Sequence, residues 1–423
     1  MLLYLFGTVI LLISIYTIRH YCFTLSRLFG GQRHPYVDVE LADWPAVTIL
    51  IAAHNEEAVV ADILHALMEV DYPREQMTII PVNDRSTDRT REIIDRFVAE
   101  HPEQPIQPFH RTGGKPGKAA ALKDAMQFVS TDVVLVFDAD YIPGKALIRQ
   151  LVAPFFDPEV GSVMGRVVPM NVGKKLITRL LDLERSGGYQ VDQQARMNLE
   201  LVPQYGGTVA GIRKSALDEI GGWNENTLAE DTDLTYRLLL AGWKTVYENR
   251  AECYEEVPER WPVRVRQIMR WAKGHNQAMA RYTLPLITRS RASLRERLDG
   301  ALLLGVYLMG PVLLLGWVLA SLLFYTGIQI EAYVAILGLA AFTTLGNFAA
   351  FFEIAAAVRL DGSRKRVRLL PLTFFGFTVS LISVSRAAWQ QVRDSVRGAQ
   401  MVWDKTERSR AVAPVPAPAE KAA

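Results

Sequence analysis

Long apolar runs lie near both ends of the chain, and a stretch of mixed apolar and polar residues separates them. The runs that approach the length of a membrane helix are residues 2–18, 301–325, 332–357 and 369–385. No basic stretch precedes the first run and no small-residue cleavage motif follows it, so we expect a retained anchor over residues 1–28 rather than a cleaved signal peptide. About three further membrane helices are expected within residues 301–390.

Lysine and arginine flank these runs unevenly, and this predicts their orientation. Basic residues follow the first run, precede the second and separate the third from the fourth, whereas residues 326–331 contain none. We therefore expect a multi-pass protein of the cell (inner) membrane with its middle portion in the cytoplasm. A full crossing by residues 369–385 would put the basic tail outside, so that run is either re-entrant or interfacial, or it breaks the rule.

Two segments beside the membrane runs have a distinctive composition. Residues 281–298 alternate arginine with apolar residues, which is typical of a helix lying in the membrane interface over residues 281–300 or, alternatively, of an ordinary solvated helix. Residues 391–423 form a tail, and its Pro/Ala-rich end, AVAPVPAPAEKAA, predicts disorder.

Between residues 45 and 280, short apolar runs alternate with amphipathic helical patterns. The pattern predicts strands at 47–52, 77–82, 106–109 and 133–137 and helices at 59–68, 88–100 and 118–129, the first of them capped by Asn55. Strands that alternate with helices need crossover connections, so we predict an α/β domain with a mostly parallel sheet covered on both faces. This domain would be inserted between the N-terminal and the C-terminal membrane helices. In such sheets ligands bind beyond the carboxyl ends of the strands.

The overall composition excludes several classes of function. The chain has 423 residues, 47 of them lysine or arginine and 45 aspartate or glutamate, so its formal charge is only +2 and a general nucleic-acid-binding surface is not expected. Two cysteines, Cys22 and Cys253, lie far apart and predict neither a disulfide framework nor a zinc site. Charge is therefore expected to act locally, in clusters.

Polar and acidic side chains follow the predicted strands where the chain turns. The candidates at these strand ends are His54, Glu56, Asp84, Asp138 and Asp140. Two carboxylates two residues apart, as in Asp138-Ala139-Asp140, can face one hard cation such as Mg²⁺ or Mn²⁺. An Asp-x-Asp pair is common, but Asp84 occupies the equivalent place on another strand. The alternative for Asp84 and the residues after it is an ordinary helix start capped by Ser86 or Asp88.

Two further segments open helices with groups that suit a substrate. Residues 113–118 are rich in glycine and lysine, so backbone amides and Lys118 can hold a phosphate there, although a flexible loop is the alternative. Glu230 and Asp231 lie in the first turn of another predicted helix. Acidic residues stabilise such a turn by themselves, which is the structural alternative to a catalytic role.

Gln267, Arg270 and Trp271 share one face of a predicted helix. They can form a surface on which a sugar ring stacks, or a membrane-interface tryptophan beside a snorkelling arginine. The ordered motifs are Asp84, Asp138-Ala139-Asp140, Glu230-Asp231 and Gln267-x-x-Arg270-Trp271. With the flanking membrane runs, this order resembles the membrane-embedded processive glycosyltransferases of family 2, which include cellulose, chitin, hyaluronan and poly-N-acetylglucosamine synthases.

The resemblance implies a GT-A fold, a nucleotide diphosphate sugar as donor and Mg²⁺ or Mn²⁺ as cofactor. It implies donor-binding roles for His54, Glu56, Asp84, Lys118 and Asp138. Asp138 and Asp140 would serve the metal, and Asp231, beside Glu230, would be the general base. The acceptor site would be formed by Gly207, Thr208, Gln267, Arg270 and Trp271.

The function expected from this resemblance is an inverting hexosyltransferase. It would use UDP-Glc or UDP-GlcNAc to extend a growing β-linked polysaccharide, in contact with membrane lipids and with an export partner that the sequence does not identify. The alternative is the transfer of a single sugar to a lipid such as diacylglycerol. A hypothesis from another class is a non-catalytic membrane module that senses nucleotide sugars or transports glycans.

Overall fold

The computed structural model describes residues 1–34, 43–342 and 344–397. Its strands are β1 (Val47–Ala53), β2 (Met77–Asp84), β3 (Phe109–Arg111), β4 (Val133–Asp138), β5 (Ile142–Pro143), β6 (Val160–Pro169), β7 (Ala210–Arg213) and β8 (Lys244–Glu255). The helices up to the end of the sheet are α1 (Leu2–Phe29), α2 (Val60–Met68), α3 (Thr90–Glu100), α4 (Lys118–Ala125), α5 (Leu147–Val152), α6 (Leu176–Ser186), α7 (Gln194–Asn198), α8 (Lys214–Glu219) and α9 (Glu230–Ala241). The later helices are α10 (Trp261–Arg289), α11 (Leu294–Gly305), α12 (Met309–Thr326), α13 (Ala332–Phe342), α14 (Thr344–Leu360) and α15 (Leu370–Arg397).

The strands form one sheet in the order β3-β2-β1-β4-β7-β6-β8-β5. The pairs β3–β2, β2–β1, β1–β4 and β6–β8 are parallel, and β4–β7, β7–β6 and β8–β5 are antiparallel. The mostly parallel sheet predicted from the alternating pattern is therefore confirmed. In this register Ala52 of β1 lies opposite both Val82 of β2 and Asp138 of β4, so the carboxyl ends of the three strands meet at one edge.

Both faces of the sheet are covered by apolar helix faces, because the central strands are apolar at successive positions. Ile49 and Ile51 of β1 pack on one face with residues of α2, α3 and α5. Leu50 packs on the other face with Leu122 of α4 and with residues of α8 and α9. All three β1 side chains are fully buried.

Three local expectations are corrected by the structure. Asn55 is not the cap of α2, which begins at Val60; it lies in a left-handed turn (φ 53°), and its Oδ1 accepts a hydrogen bond from Thr87 N at 2.7 Å. The third strand forms at Phe109–Arg111, and only an isolated bridge joins Ile106 to β2. Helix α3 begins at Thr90, two residues later than predicted.

Within the described residues, three helical stretches are long and apolar enough to cross a membrane. They are Leu2–Phe29, Leu294–Thr326 and Lys365–Arg397. The predicted span at 332–357 corresponds to α13 and α14, which lie on either side of residue 343, itself outside the described part. The crossing of the membrane, its direction and the boundaries of the domains stay predictions.

Residues 281–300 do not form one helix. Helix α10 ends at Arg289, and α11 begins at Leu294 behind a capping box in which Ser293 and Glu296 bond each other's backbone N–H groups. The location of this segment in the membrane interface stays a prediction. The disorder predicted for the end of the tail falls on residues outside the described part of the chain.

Ion pairs join the sheet domain to the candidate membrane helices. Arg19 of α1 lies 2.8 Å from Asp299 of α11, and Arg196 of α7 reaches the other oxygen of Asp299 at 2.7 Å. Arg166 of β6 lies 2.7 Å from Asp361, which follows α14. The Arg196 side chain is only 1 % exposed. The α/β domain and the apolar helices are therefore connected by buried charges as well as by apolar packing.

Candidate active site

A cleft of about 1140 Å³ lies at the carboxyl ends of β1, β2 and β4. It is lined by the sequence-predicted residues His54, Glu56, Asp84, Lys118, Asp138, Asp140, Thr208, Glu230, Asp231, Gln267, Arg270 and Trp271. The remaining predicted residue, Gly207, is not among the lining residues but packs against Asp231: a Cβ atom at Gly207 would lie 3.1 Å from Asp231 Cβ. The structure therefore brings residues from distant parts of the chain into one cavity.

Asp84 is held rigidly at the end of β2. Its Oδ1 accepts from Arg111 Nη1 at 2.5 Å and from Arg85 Nε at 2.9 Å, and its Oδ2 accepts from Gly117 N at 3.1 Å. Gly117 has φ 117°, a conformation open to glycine, so the 113–118 segment reaches Asp84 through its backbone. His54 Nδ1 donates to the Asp84 carbonyl at 2.7 Å. This fixed carboxylate suits recognition of a ligand more than proton transfer.

Lys118, the first residue of α4, lies at the centre of the cleft's charges. Its Nζ is 2.5 Å from Asp138 Oδ1 and 3.8 Å from Glu230 Oε1, and it donates to the Gly207 carbonyl at 2.7 Å. Burial alone would lower the pKa of Lys118, but the carboxylates of Asp138 and Glu230 outweigh it and the pKa is raised. Lys118 is therefore a firmly charged cation that can contact an anionic diphosphate.

Asp138 and Asp140 offer carboxylate oxygens, the donor type that Mg²⁺ and Mn²⁺ prefer. Asp140 is 5 % exposed and lines the cleft. The Asp138 carboxylate pairs with Lys118, and the Asp138 backbone N–H donates to Thr208 Oγ1 at 3.0 Å. Among the described residues, no group of three or more His, Cys, Asp and Glu side chains could hold a metal ion. Two carboxylates fit Mg²⁺ or Mn²⁺ where substrate phosphate and water supply the other oxygens. The residues therefore fit a cation that binds together with the substrate.

Glu230 and Asp231 begin α9, and Glu230 Oε1 lies 3.8 Å from Lys118 Nζ. The pKa of Asp231 is raised by burial. The Thr232 N–H, Lys118 and Arg270 lower this pKa, but burial has the larger effect. The pKa of Glu230 is also raised, because the effect of burial exceeds the lowering by the nearby Lys118 cation. Asp231 Oδ1 accepts from Thr232 N at 2.7 Å. A carboxylate with a raised pKa in a cleft is a better proton acceptor than an exposed aspartate.

The face of α10 that carries Gln267 and Trp271 is already engaged by arginines. The guanidinium carbons of Arg185 and Arg264 lie 5.3 and 5.2 Å from the centroid of the Trp271 ring. Arg264 Nη1 also donates to Gln267 Oε1 at 2.8 Å. The indole therefore contacts cations in this structure, and its predicted role in stacking on a sugar stays a prediction.

Other residues of the cleft carry no local sequence signal. A π-helix, Gly187–Gln193, follows α6 and presents Tyr189 and Asp192 to the cavity. Single turns of π-helix occur frequently at functional sites. Glu255 of β8 accepts from Arg185 Nε at 2.6 Å and from Tyr141 Oη at 2.8 Å. These groups come from distant segments that only the folded chain brings together.

His275 is a further residue of the cleft that the sequence did not indicate. Its Nε2 lies 3.2 Å from Thr232 Oγ1, beside the Asp231 carboxylate, and 3.1 Å from Gln204 Nε2. Burial lowers the pKa of His275 to about 4, so the ring is neutral. The ring centroid lies 4.8 Å from that of Tyr307, which belongs to the candidate span Leu294–Thr326 and also lines the cleft.

Comparison with known proteins identifies the family. The family described as Glycosyltransferase like family 2 matches residues 45–274, more than half of the chain. "Probable glycosyltransferase YdaM" of Bacillus subtilis is 33% identical over 263 residues, 60% of this chain and 62% of that protein. "Beta-monoglucosyldiacylglycerol synthase" of Synechocystis sp. is 33% identical over 245 residues, 58% of this chain and 51% of that protein.

"Probable glucomannan 4-beta-mannosyltransferase 1" of Arabidopsis thaliana is 31% identical over 268 residues, 62% of this chain and 48% of that protein. The matches thus span about half to three fifths of the relatives' own length. Among solved structures, the mannosyltransferase PcManGT from Pyrobaculum calidifontis, in complex with GDP-Man and Mn²⁺, matches with a TM-score of 0.60 and 19% identity, over 85% of this chain and 99% of that chain. That likeness shows a shared GT-A-like fold. The chain therefore belongs to glycosyltransferase family 2.

Proposed function

We propose that this enzyme transfers one hexose from a nucleoside diphosphate sugar to a hydroxyl group of a membrane lipid such as diacylglycerol. The observation that carries the proposal is the reach of the cleft: Tyr307, in a candidate membrane span, lines the same cavity as Asp231. A lipid hydroxyl at the bilayer surface would therefore have a direct route to the base. The relatives named as beta-monoglucosyldiacylglycerol synthases support a lipid acceptor.

The donor would lie along the carboxyl ends of β1, β2 and β4. Asp84, fixed by Arg111 and Gly117, would accept hydrogen bonds from the nucleoside. The Lys118 ammonium group, which pairs with Asp138, would turn to the diphosphate when the donor binds and would stabilise the negative charge of the leaving group. We expect the donor to be UDP-Glc or UDP-GlcNAc.

Asp138 and Asp140 would hold Mg²⁺ or Mn²⁺, which supplies positive charge that offsets the charge developing on the diphosphate. The Mn²⁺ in the complex of the mannosyltransferase with the same fold supports such a cofactor. Because Asp138 is also the ion-pair partner of Lys118, the lysine and the cation would lie on the same side of the cleft.

Asp231 would act as the general base. Its Oδ1 is held by Thr232 N, so Oδ2 is the oxygen that would take the proton from the acceptor hydroxyl. The acceptor oxygen then attacks the anomeric carbon from the side opposite the diphosphate, which departs with the bonding electron pair. The anomeric centre is inverted and the product is β-linked. Glu230, 3.8 Å from Lys118, would keep the lysine near the base.

The second candidate function is the extension of a β-linked polysaccharide. Two observations favour it: the motif Gln267-x-x-Arg270-Trp271 lines the cleft, and a relative is named as a glucomannan mannosyltransferase. In that case a growing glycan would occupy the acceptor side, and an export partner could receive it.

The product decides between these acceptors. Membranes containing the full chain are incubated with radiolabelled UDP-Glc or UDP-GlcNAc, diacylglycerol and Mn²⁺, and the products are extracted and sized. A single labelled lipid supports the proposal, and a ladder or long chain supports the polysaccharide instead. Asp231→Asn should lower the initial rate of labelling by about 10²-fold or more. Asp218→Asn is the matched control, because the Asp218 side chain is 56 % exposed and pairs with Lys214 on α8. A labelling rate close to that of the wild type in Asp231→Asn would contradict the assignment of the base.

A further inference from the structure

Arg85 has an unfavourable backbone conformation at the donor side of the cleft. It follows Asp84 directly and lines the cavity. Its φ is 54°, in the left-handed region that glycine adopts freely and that arginine adopts only at a cost. Residues held in such conformations cluster at active sites and ligand sites. The Arg85 side chain is therefore a candidate for a contact with the donor that a glycine at this position could not make.

Each acceptor position of the Asp84 carboxylate already has a donor from the protein. A carboxylate offers about four lone-pair positions. Oδ1 accepts from Arg111 Nη1 at 2.5 Å and from Arg85 Nε at 2.9 Å. Oδ2 accepts from Gly117 N at 3.1 Å and from Arg85 Nη2 at 3.5 Å. A nucleoside N–H can therefore bond to Asp84 only where one of these donors moves away.

Arg85 is the donor that can move. Gly117 N belongs to the backbone, and the Arg111 side chain is 2 % exposed and forms a second ion pair. The Arg85 side chain is 28 % exposed, and ion pairs that solvent reaches are held weakly. Arg85 Nη1 also donates to the Gly114 carbonyl at 3.2 Å. A guanidinium that turns away from Asp84 would therefore stay beside the donor site through its bond to Gly114.

We propose that Arg85 selects the nucleobase of the donor: a ring N–H of the base takes the place of Arg85 on Asp84, and the displaced guanidinium donates to the carbonyl oxygen beside that N–H. Uracil offers this pair in N3–H and O4. Cytosine in the same position presents a lone pair to Asp84 and an amino group to Arg85, so both contacts are lost. The inference rests on the proposed function and adds to it a residue that selects uracil.

The test measures the binding of UDP and of CDP, each with Mn²⁺, to the full chain in detergent by isothermal titration calorimetry. These nucleotides differ only in the groups that Asp84 and Arg85 would contact. Arg85→Ala removes the guanidinium, and Arg85→Gly is a second variant should Arg85→Ala fail to fold, because glycine adopts φ 54° without strain. Arg89→Ala is the matched control, because the Arg89 side chain is 42 % exposed, pairs with Glu57 and does not line the cleft.

We expect the wild type to bind UDP about 10²-fold more tightly than CDP, since each of the two hydrogen bonds to a charged group contributes about tenfold. Arg85→Ala and Arg85→Gly should reduce this preference to about tenfold, and Arg89→Ala should retain it in full. A wild type without a preference for UDP, or Arg85 variants that keep the full preference, would overturn the role of Arg85 alone. A wild type that binds neither nucleotide would instead overturn the donor site of the proposed function, and the role of Arg85 with it.

Discussion

Replacing Arg111 by methionine tests whether the ion pair at the end of β3 holds the donor side of the cleft. Arg111 Nη1 lies 2.5 Å from Asp84 Oδ1, and its Nη2 lies 2.7 Å from Asp124 Oδ2. The side chains of Arg111 and Asp84 are 2 % and 7 % exposed, whereas that of Asp124 is 46 % exposed. The loss in free energy of unfolding should therefore come mainly from the buried pair with Asp84.

Removal of one partner of a buried ion pair costs about 3–5 kcal/mol. Asp84 keeps Arg85 Nε and Gly117 N as donors, so we expect the lower end of that range, about 3 kcal/mol. The exposed pair with Asp124 adds about 0–1 kcal/mol. Asp84 also loses the group that fixes its orientation, so the donor KM should rise by about tenfold, which corresponds to ~1.4 kcal/mol.

Thermal unfolding of the full chain in detergent, followed by circular dichroism, measures the stability, and initial rates over a series of donor concentrations measure the KM. Arg91→Met is the matched control, because Arg91 forms an exposed pair with Asp95 one turn along α3, at 3.6 Å. The control should lose less than about 0.5 kcal/mol. If both variants have the same melting temperature and the same donor KM, Arg111 does not hold the donor side and the reasoning is refuted.

Three further predictions concern the base, the cation and the buried histidine. Asp231→Asn should lower turnover by about 10²–10⁴-fold with donor binding retained. Because burial raises the pKa of Asp231, the acid limb of the wild-type pH–rate profile should lie above the ordinary pH range of an aspartate. A limb in the ordinary range would contradict this. EDTA should abolish transfer and Mn²⁺ restore it, and Asp140→Asn should raise the Mn²⁺ concentration needed; full turnover after chelation would argue against a cation at this pair. The pKa of His275 falls from 6.5 to about 4 on burial, so protonation favours the unfolded chain and stability falls as the pH drops from 6.5 to about 4. His275→Asn should flatten this acid-side fall in melting temperature, and an unchanged slope would disprove the explanation.

The central strands could be predicted because a buried parallel strand appears in the sequence as a continuous apolar run. β1, β2 and β4 begin at the predicted residues, Val47, Met77 and Val133. Once these strands are parallel and in register, Asp84 and Asp138 necessarily lie at the same edge of the sheet. The position of the cleft therefore follows from a local pattern and one rule of topology.

Features that depend on contacts between distant segments could not be predicted in this way. Tertiary packing alone brings Arg111 to Asp84 and His275 to the cleft, and no nearby periodicity marks either residue. The type of residue at Asn55 favours a helix cap, but asparagine also tolerates a left-handed turn, and the turn prevails. The π-helix Gly187–Gln193 inserts an extra residue into a helical turn, which the apolar pattern does not reveal.

The buried ion pairs between the sheet and the apolar helices make the glycosyltransferase domain depend on these helices for its stability. A fragment cut to residues 45–280 would keep Arg196 and Arg166 but lose their partners Asp299 and Asp361. Arg196 would keep Asp192 and Arg166 would keep Glu252, but each would lose its more buried partner, and such a loss favours unfolding by about 3 kcal/mol, the lower end of the range for a buried ion pair. A soluble catalytic fragment of this enzyme should therefore aggregate or melt early, and its chemistry is best studied in the intact chain with lipid around it.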